Sequence, residues 1–334
     1  LAGVELNGTT LEAPRRVADH LILPGGLLHA GANEFAASFR SRVASTGTPL
    51  TRYSDEATGA EWVYTLLVPA DAHRLFPCFD QPDLRARFHL TVQSPSEWTV
   101  VGNAPEADSS PAEDGRRMTT FEGTPPLPTY LFAFAAGPFE VAGFDDRRFR
   151  VFYRGSKRDH LDADTLLVLH AASLRWLAKY FGTGYPFRKL DIVLLPGFPY
   201  GGMEHAGAIF YRESALTFDH EPTVAELLRR STLIYHEVSH QWFGNLVTMN
   251  WFDDLWLKEG FATFTAYKAL ETLEPERQAW LRFVFDPKMR FVIPLGGPGD
   301  DIFIIPLDGS TPDRFEGFSG NSVTVAGAVS PSGR

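Results

Sequence analysis

The chain is poor in several things, and each shortage excludes something. It has one cysteine, Cys78, in 334 residues, so no internal disulfide can form. That favours a reducing compartment, with the cytoplasm as the expected location. No apolar run approaches the roughly 20 residues of a membrane-spanning helix. No basic stretch followed by an apolar core opens the chain, so no secretory leader is read from it. Residue 1 is Leu and stands inside a strand-like pattern. The chain is therefore expected to be incomplete at its start, which leaves a periplasmic or secreted location open. Positive charge is also scarce: Lys plus Arg number 31 against 41 Asp plus Glu, for a net charge of -10. The arginine pairs at 15–16, 116–117, 147–148 and 229–230 are scattered and lie near acids. With no basic stripe, nucleic acid is not expected as a partner. Asn7-Gly8-Thr9 fits a glycosylation acceptor, a pattern too short to carry weight alone.

Apolar residues make up 44% of the chain, ample for a packed core, and the length suits two domains. The first 155 or so residues read as β structure. "HLILP" (20–24), "NEFAASFRSRV" (33–43), "RFHLTVQSP" (87–95), "WTVVGNAP" (98–105) and "RFRVFYRG" (148–155) are short runs separated by turn residues. The polar stretch 105–117 reads as a hairpin tip. After Gly155 the character changes. Leu166, Leu169, Leu174, Leu177 and Phe181 fall at helical spacing, and Gly182 is placed to end that helix. "KLDIVLLP" (189–196) reads as a buried strand and "AGAIFY" (206–211) as a second, exposed one. Two long helical patterns follow, from about Pro222 to Phe243 and from about Asp253 to Leu273. The expected organisation is an α+β chain of two domains: a β domain over 1–155, incomplete at its start, and a catalytic domain over 156–288. An atypical tail covers 289–334.

The chemistry gathers in "LIYHEVSHQWFG", residues 233–244. Positions four apart share a helix face, so His236 and His240 can offer two imidazoles to one ion, with Glu237 close enough to reach a water on it. This is the HExxH arrangement of zinc metallopeptidases. A catalytic zinc takes three protein ligands and keeps a fourth position for water, so a third ligand is required. Glu259, 19 positions after His240 (259 − 240), lies on the next helix. A loop and an antiparallel return would bring it over the pair. Two neutral imidazoles and one carboxylate leave a +1 site, which lowers the pKa of bound water towards about 7. Glu237 can then act as general base. Asp253 and Asp254 are candidate acceptors for a ligand imidazole. The plainer alternative is a core helix with incidental polar residues, and Leu233, Val238 and Phe243 are packing material on it. The pair, the intervening glutamate and the spaced third acid occur together, which favours one zinc per chain. His20, His29, His73, His89, His160, His170 and His220 show no ligand spacing and read as surface or structural.

Upstream lies "FPYGGMEHAGAIFY" (198–211), where paired glycines let backbone approach a ligand and Glu204 could contact a cation. GGMEH followed by HEVSHQWFGNLVTMNWFDDLWLKEGFA resembles the gluzincin aminopeptidases, the family of aminopeptidase N and leukotriene hydrolase. "FPCFDQPDLRARF" (76–88) resembles that family's N-terminal motif, and the likeness covers roughly residues 1–285. The resemblance implies a saddle-like antiparallel β domain followed by a thermolysin-like mixed α/β domain carrying zinc. It implies His236, His240 and Glu259 as ligands and Glu237 as general base. Glu204 would hold the α-ammonium of a peptide with a free N-terminus, and the backbone at Gly201, Gly202 and Met203 would align the peptide as an added strand. Exo-cleavage follows, because only a chain with a free N-terminus sets its first peptide bond over the metal.

Three departures from the family pattern stand out. His205 follows the motif glutamate where the family has Asn; it could still hydrogen-bond substrate, but its charge is expected to repel an ammonium at acid pH. Val68 stands where many members place a second amine-contacting Glu or Gln, so Glu204 is expected to work alone. The family's oxyanion-stabilising tyrosine lies well beyond the third ligand, whereas the last tyrosine here is Tyr267. From about Met289 the Gly-, Ser- and Pro-rich sequence no longer follows the family. A truncated or frame-shifted chain with impaired turnover is the expectation, since an oxyanion donor is worth about 10²–10³ in rate. Two other functions compete: a zinc hydrolase of non-peptide substrates such as epoxides, and a non-catalytic scaffold that keeps the fold. The intact ligands and Glu237 argue against the scaffold.

Overall fold

A computed structural model describes residues 1–143 and 148–279, and beyond them only three short strand segments, Ile293–Pro294, Ile302–Ile304 and Asp313–Arg314, paired antiparallel. The expectation for the tail over 289–334 otherwise lies outside the described residues. No helix among the described residues is long and apolar enough to cross a membrane.

The first part of the chain is built from small, mainly antiparallel sheets. Its largest runs in the order Thr99–Gly102, Phe134–Gly137, Glu61–Thr65, Leu50–Ser54, Val43–Ala44. A second joins Glu106–Pro111, Arg116–Phe121 and Thr91–Pro95. The stretch expected as a hairpin tip is thus an edge strand plus a turn. Its exposed, polar residues lack the alternation that marks a half-buried strand. Asn7 is committed structurally: its Nδ2 donates to the Leu27 carbonyl (2.7 Å) and to Asn33 Oδ1 (2.9 Å), so glycosylation there would break both bonds.

The second part centres on a five-stranded mixed sheet: β1 (Phe139–Gly143), β2 (Phe149–Arg154), β3 (Leu190–Leu195), β4 (Gly202–Met203) and β5 (Ala208–Arg212), in the order β1-β2-β3-β5-β4. β2, β3 and β5 run parallel; β1 and β4 are antiparallel edges. The expected domain break at 155/156 does not coincide with a break in hydrogen bonding, because β2 pairs with β3 across it. The chain passes from one sheet to the other at Pro138, between Gly137 and Phe139.

All six residues of β3 are buried, as a parallel strand covered on both faces requires. The strand expected to be exposed at 206–211 is β5. It is central, and Ala208, Ile209, Phe210 and Tyr211 are buried between β3 and β4. Its apolar run already suited two covered faces. Helix α1 (Ala163–Phe181) ends at Gly182 in the left-handed conformation (φ 64°). Helix α2 (Val224–Ser239) starts two residues later than Pro222 suggests, because Thr223 and Glu226 form a reciprocal capping box. Helix α3 (Trp256–Leu273) also starts late, after a 3-10 turn at Phe252–Asp254. α1, α2 and α3 pack together, and Leu166, Leu177, Ile234, Tyr235, Val238, Ala266 and Leu270 form one core with the sheet. Burying each large apolar side chain contributes about 1.5–3 kcal/mol.

Candidate metal centre and active site

The two helices that pack most closely, α2 and α3, carry the candidate metal-ligating groups. His236 occupies the last turn of α2 and His240 is its C-cap residue. Glu259 lies in the first turn of α3, where the helix dipole favours a carboxylate. His240 Nε2 lies 3.0 Å from His236 Nε2, and Glu259 Oε2 lies 3.3 and 3.4 Å from those two nitrogens. Three donors bound at 2.0–2.1 Å in a tetrahedron are about 3.3 Å apart. The donor set, two imidazoles and a carboxylate, is one zinc accepts, so the residues fit the ion.

Each imidazole has a partner on its other nitrogen. His240 Nδ1 is 2.9 Å from the Phe243 carbonyl, and His236 Nδ1 is 3.2 Å from Thr263 Oγ1. These contacts orient the rings with both Nε2 atoms towards Glu259 Oε2. Asp253 and Asp254, the acceptors expected from sequence, sit instead in the exposed turn before α3. Thr263 lies four residues after Glu259 on the same face of α3. That four-residue spacing on one helix face is a signal legible in the sequence.

Glu237 is buried beside the cluster, and loss of water pushes its carboxyl up to about 8. Its neighbour is Gly202 on β4. A Cβ at 202 would sit 2.5 Å from the Glu237 carboxyl carbon, so only glycine allows this approach. Oxygens of Glu204 and Glu237 also come within 4.8 Å of a His240 nitrogen and of each other. Acid and anchor candidates therefore surround one centre. Burial acts to raise Glu259, but Lys258 and His240 outweigh it and hold the carboxyl well below the usual range.

Glu204, the carboxylate expected to meet an ammonium alone, has a lysine as its neighbour. It is buried and forms an ion pair with Lys258 Nζ, which lies 3.2 Å from Glu259 Oε1 as well. Val68, at the position of the missing second carboxylate, packs against the core that includes Met203. His205 is fully buried, and burial lowers its pKa to about 3, so it stays neutral and the expected acid-side repulsion of an ammonium does not arise. Both its ring nitrogens are buried, and the ring packs edge-on against Phe210. Tyr267 is packed in the helix–sheet core.

Contacts from other elements hold the Gly201–His205 loop in place. Gln241 and Asn245 donate to the Glu204 carbonyl (3.0 and 2.7 Å). Asn103, from the first part of the chain, donates to the carbonyls of Leu131 and Ala206 (both 2.9 Å). Arg85, in the 76–88 motif, donates to the Leu246 carbonyl (2.9 Å), and Tyr130 donates to the Gly244 carbonyl (3.2 Å). The N-terminal motif thus braces the turn that follows the two histidines.

Known proteins share this arrangement of sequence. The peptidase family M1 domain matches residues 167–292, and the peptidase M1 N-terminal domain matches residues 20–131. The chain is 36% identical over 267 residues to aminopeptidase N of Streptomyces lividans, covering 78% of this chain and 30% of that protein. It is 36% identical over 224 residues to aminopeptidase M1 of Arabidopsis thaliana, covering 66% of this chain and 25% of that protein. It is 34% identical over 261 residues to aminopeptidase N of Rattus norvegicus, covering 76% and 27%. The chain therefore matches only about a quarter to a third of the length of these relatives. Both of the family's domains are matched in order, and with them the helix pair just described: the chain belongs to the M1 peptidase family.

Proposed function

We propose that these residues form the centre of a zinc-dependent aminopeptidase that hydrolyses the first peptide bond of a peptide with a free N-terminus. The observation that carries this reading is the spacing of His236 Nε2, His240 Nε2 and Glu259 Oε2, with Glu237 buried beside them. A zinc ion held there supplies Lewis acidity, polarising a carbonyl and making water a better acid. Glu237 takes the proton from the attacking water on its carboxylate and returns it to the departing amine nitrogen. Burial raises the proton affinity of this carboxyl, which suits a group that takes a proton and gives it back.

β4 supports the substrate alignment. It is a sheet edge, so the backbone of Gly202 and Met203 can pair with an extended peptide while the glycine keeps that peptide close to Glu237. Glu204, one residue beyond the strand, is the group proposed to meet the α-ammonium. The mixed sheet with α2 and α3 supports a thermolysin-like reading of the second part, and the antiparallel sheets support a saddle-like β reading of the first.

Zinc content together with hydrolysis of aminoacyl amides, on wild type and Glu237→Gln, tests the proposal. The variant should keep one zinc and lose about 10²–10⁴ in kcat. Equal turnover in both proteins would sink it.

A further inference from the structure

Lys258 is not among the residues that the sequence assigns to the site, yet it sits at the middle of it. Its side chain is 3% exposed, and that of its partner Glu204 is 4% exposed. The ammonium is engaged on three sides. It pairs with Glu204 Oε1, lies 3.2 Å from Glu259 Oε1, and lies 5.0 Å from the centroid of the Tyr130 ring. The stem is fixed as well: Gly244 has φ +116°, and a Cβ there would meet Lys258 Cγ at 3.0 Å. Buried between two carboxylates and an aromatic face, the ammonium is committed to the site itself. By holding Oε1 of Glu259, it leaves Oε2 facing the two imidazoles.

The consequence falls on Glu204. Its carboxylate already carries a resident ammonium, so an incoming one meets a neutralised pair and a nearby like charge. We propose that Lys258 sets the amine affinity of this site: it makes Glu204 hold a substrate's α-ammonium more weakly than the carboxylate alone would, and so narrows, without removing, the preference for free over N-blocked peptides. The inference rests on Glu204 being the amine anchor.

The test is calorimetric binding of isoamylamine, a simple monoamine, at pH 7 to the zinc-loaded chain, alongside zinc content. Lys258→Met should bind the amine at least about tenfold tighter than wild type, because a like charge a few ångströms from the bound ammonium is gone. Adding Glu204→Gln should abolish that gain. In parallel, Lys258→Met should raise the preference for a free over an N-acetylated aminoacyl amide by about tenfold. Unchanged or weaker amine binding with zinc retained overturns the inference. If Lys258→Met does not fold, Glu204→Gln in the presence of Lys258 decides. A measurable loss of amine affinity below about tenfold supports the inference, a larger loss overturns it, and no loss overturns the anchor reading on which it rests. Amine binding that needs Glu204 but ignores Lys258 overturns this inference alone. Zinc-loaded proteins that bind no amine, with or without Lys258, overturn the anchor reading as well.

Discussion

Two buried charge clusters in this molecule are built on opposite principles. At the start of β3, Arg150 grips Asp191 with two bonds (2.9 and 2.8 Å). Lys189 Nζ donates to Asp191 Oδ2 (2.8 Å) and to the carbonyls of Gly102 (2.7 Å) and Gly207 (2.9 Å). Every N–H of that lysine has an acceptor, and the carbonyls belong to both parts of the chain. At the helix pair, the carboxylates of Glu204 and Glu259 share one ammonium, Lys258, and the Glu237 carboxyl lies close to Glu204 and His240. The first cluster is saturated and works as a clamp. The second has more carboxylate than ammonium, so a bound cation would complete its balance. Buried charge alone does not mark a site; the surplus of one sign does.

The largest expected effect comes from breaking the clamp. Asp191→Asn leaves Lys189 and Arg150 without their carboxylate in the interior, where removing one partner of a buried pair costs about 3–5 kcal/mol. Denaturant unfolding should show that loss, while the folded variant binds zinc with wild-type affinity. A change in zinc affinity with stability intact would erase the distinction between the two clusters.

His170 sharpens the contrast, since it too is buried and polar yet uncharged. Its Nδ1 lies 2.7 Å from the Leu166 carbonyl and its Nε2 2.9 Å from Tyr211 Oη. The neutral ring satisfies both, by donating to the carbonyl and accepting from the hydroxyl. Burial lowers its pKa from 6.5 to about 4. The unfolded chain therefore takes up a proton below pH 6.5 that the folded chain refuses until about pH 4. Stability from this group is full above the unfolded value and falls as pH drops through that window, by roughly 3 kcal/mol in all. Replacing it, His170→Gln, should flatten the stability profile between those pH values relative to wild type. Parallel profiles would show that the ring charges freely in the folded state.

What could be read from the sequence follows the same division. The 3.6-residue period placed His236 and His240 on one face, and a covered apolar run marked Leu190–Leu195. Both signals lie within one element. The capping box at Thr223 and Glu226 was also local, and was missed because Pro222 offered a competing start. The Lys258–Glu204 pair and the Asn103 and Arg85 braces join residues far apart in sequence, and no spacing rule reaches them. The same limit bears on the strand at 206–211: its place inside the sheet, and not at the edge, depends on β4 folding back to pair along its far side.

The smallest effect concerns Thr263, and it separates orientation from charge within the proposed metal cluster. Its hydroxyl is 3.2 Å from His236 Nδ1 and carries no net charge. Thr263→Val keeps the shape and removes the acceptor, so His236 loses the group that fixes its ring and tautomer. Loss of such a partner typically costs about 10–100-fold in metal affinity. Competition with a chromophoric chelator should show that drop, and Thr263→Ser should restore the affinity because the hydroxyl returns. If the serine variant fails to recover while folding as stably as wild type, the methyl packing rather than the hydrogen bond holds His236. The metal cluster would then depend on shape in the way the rest of the helix interface does.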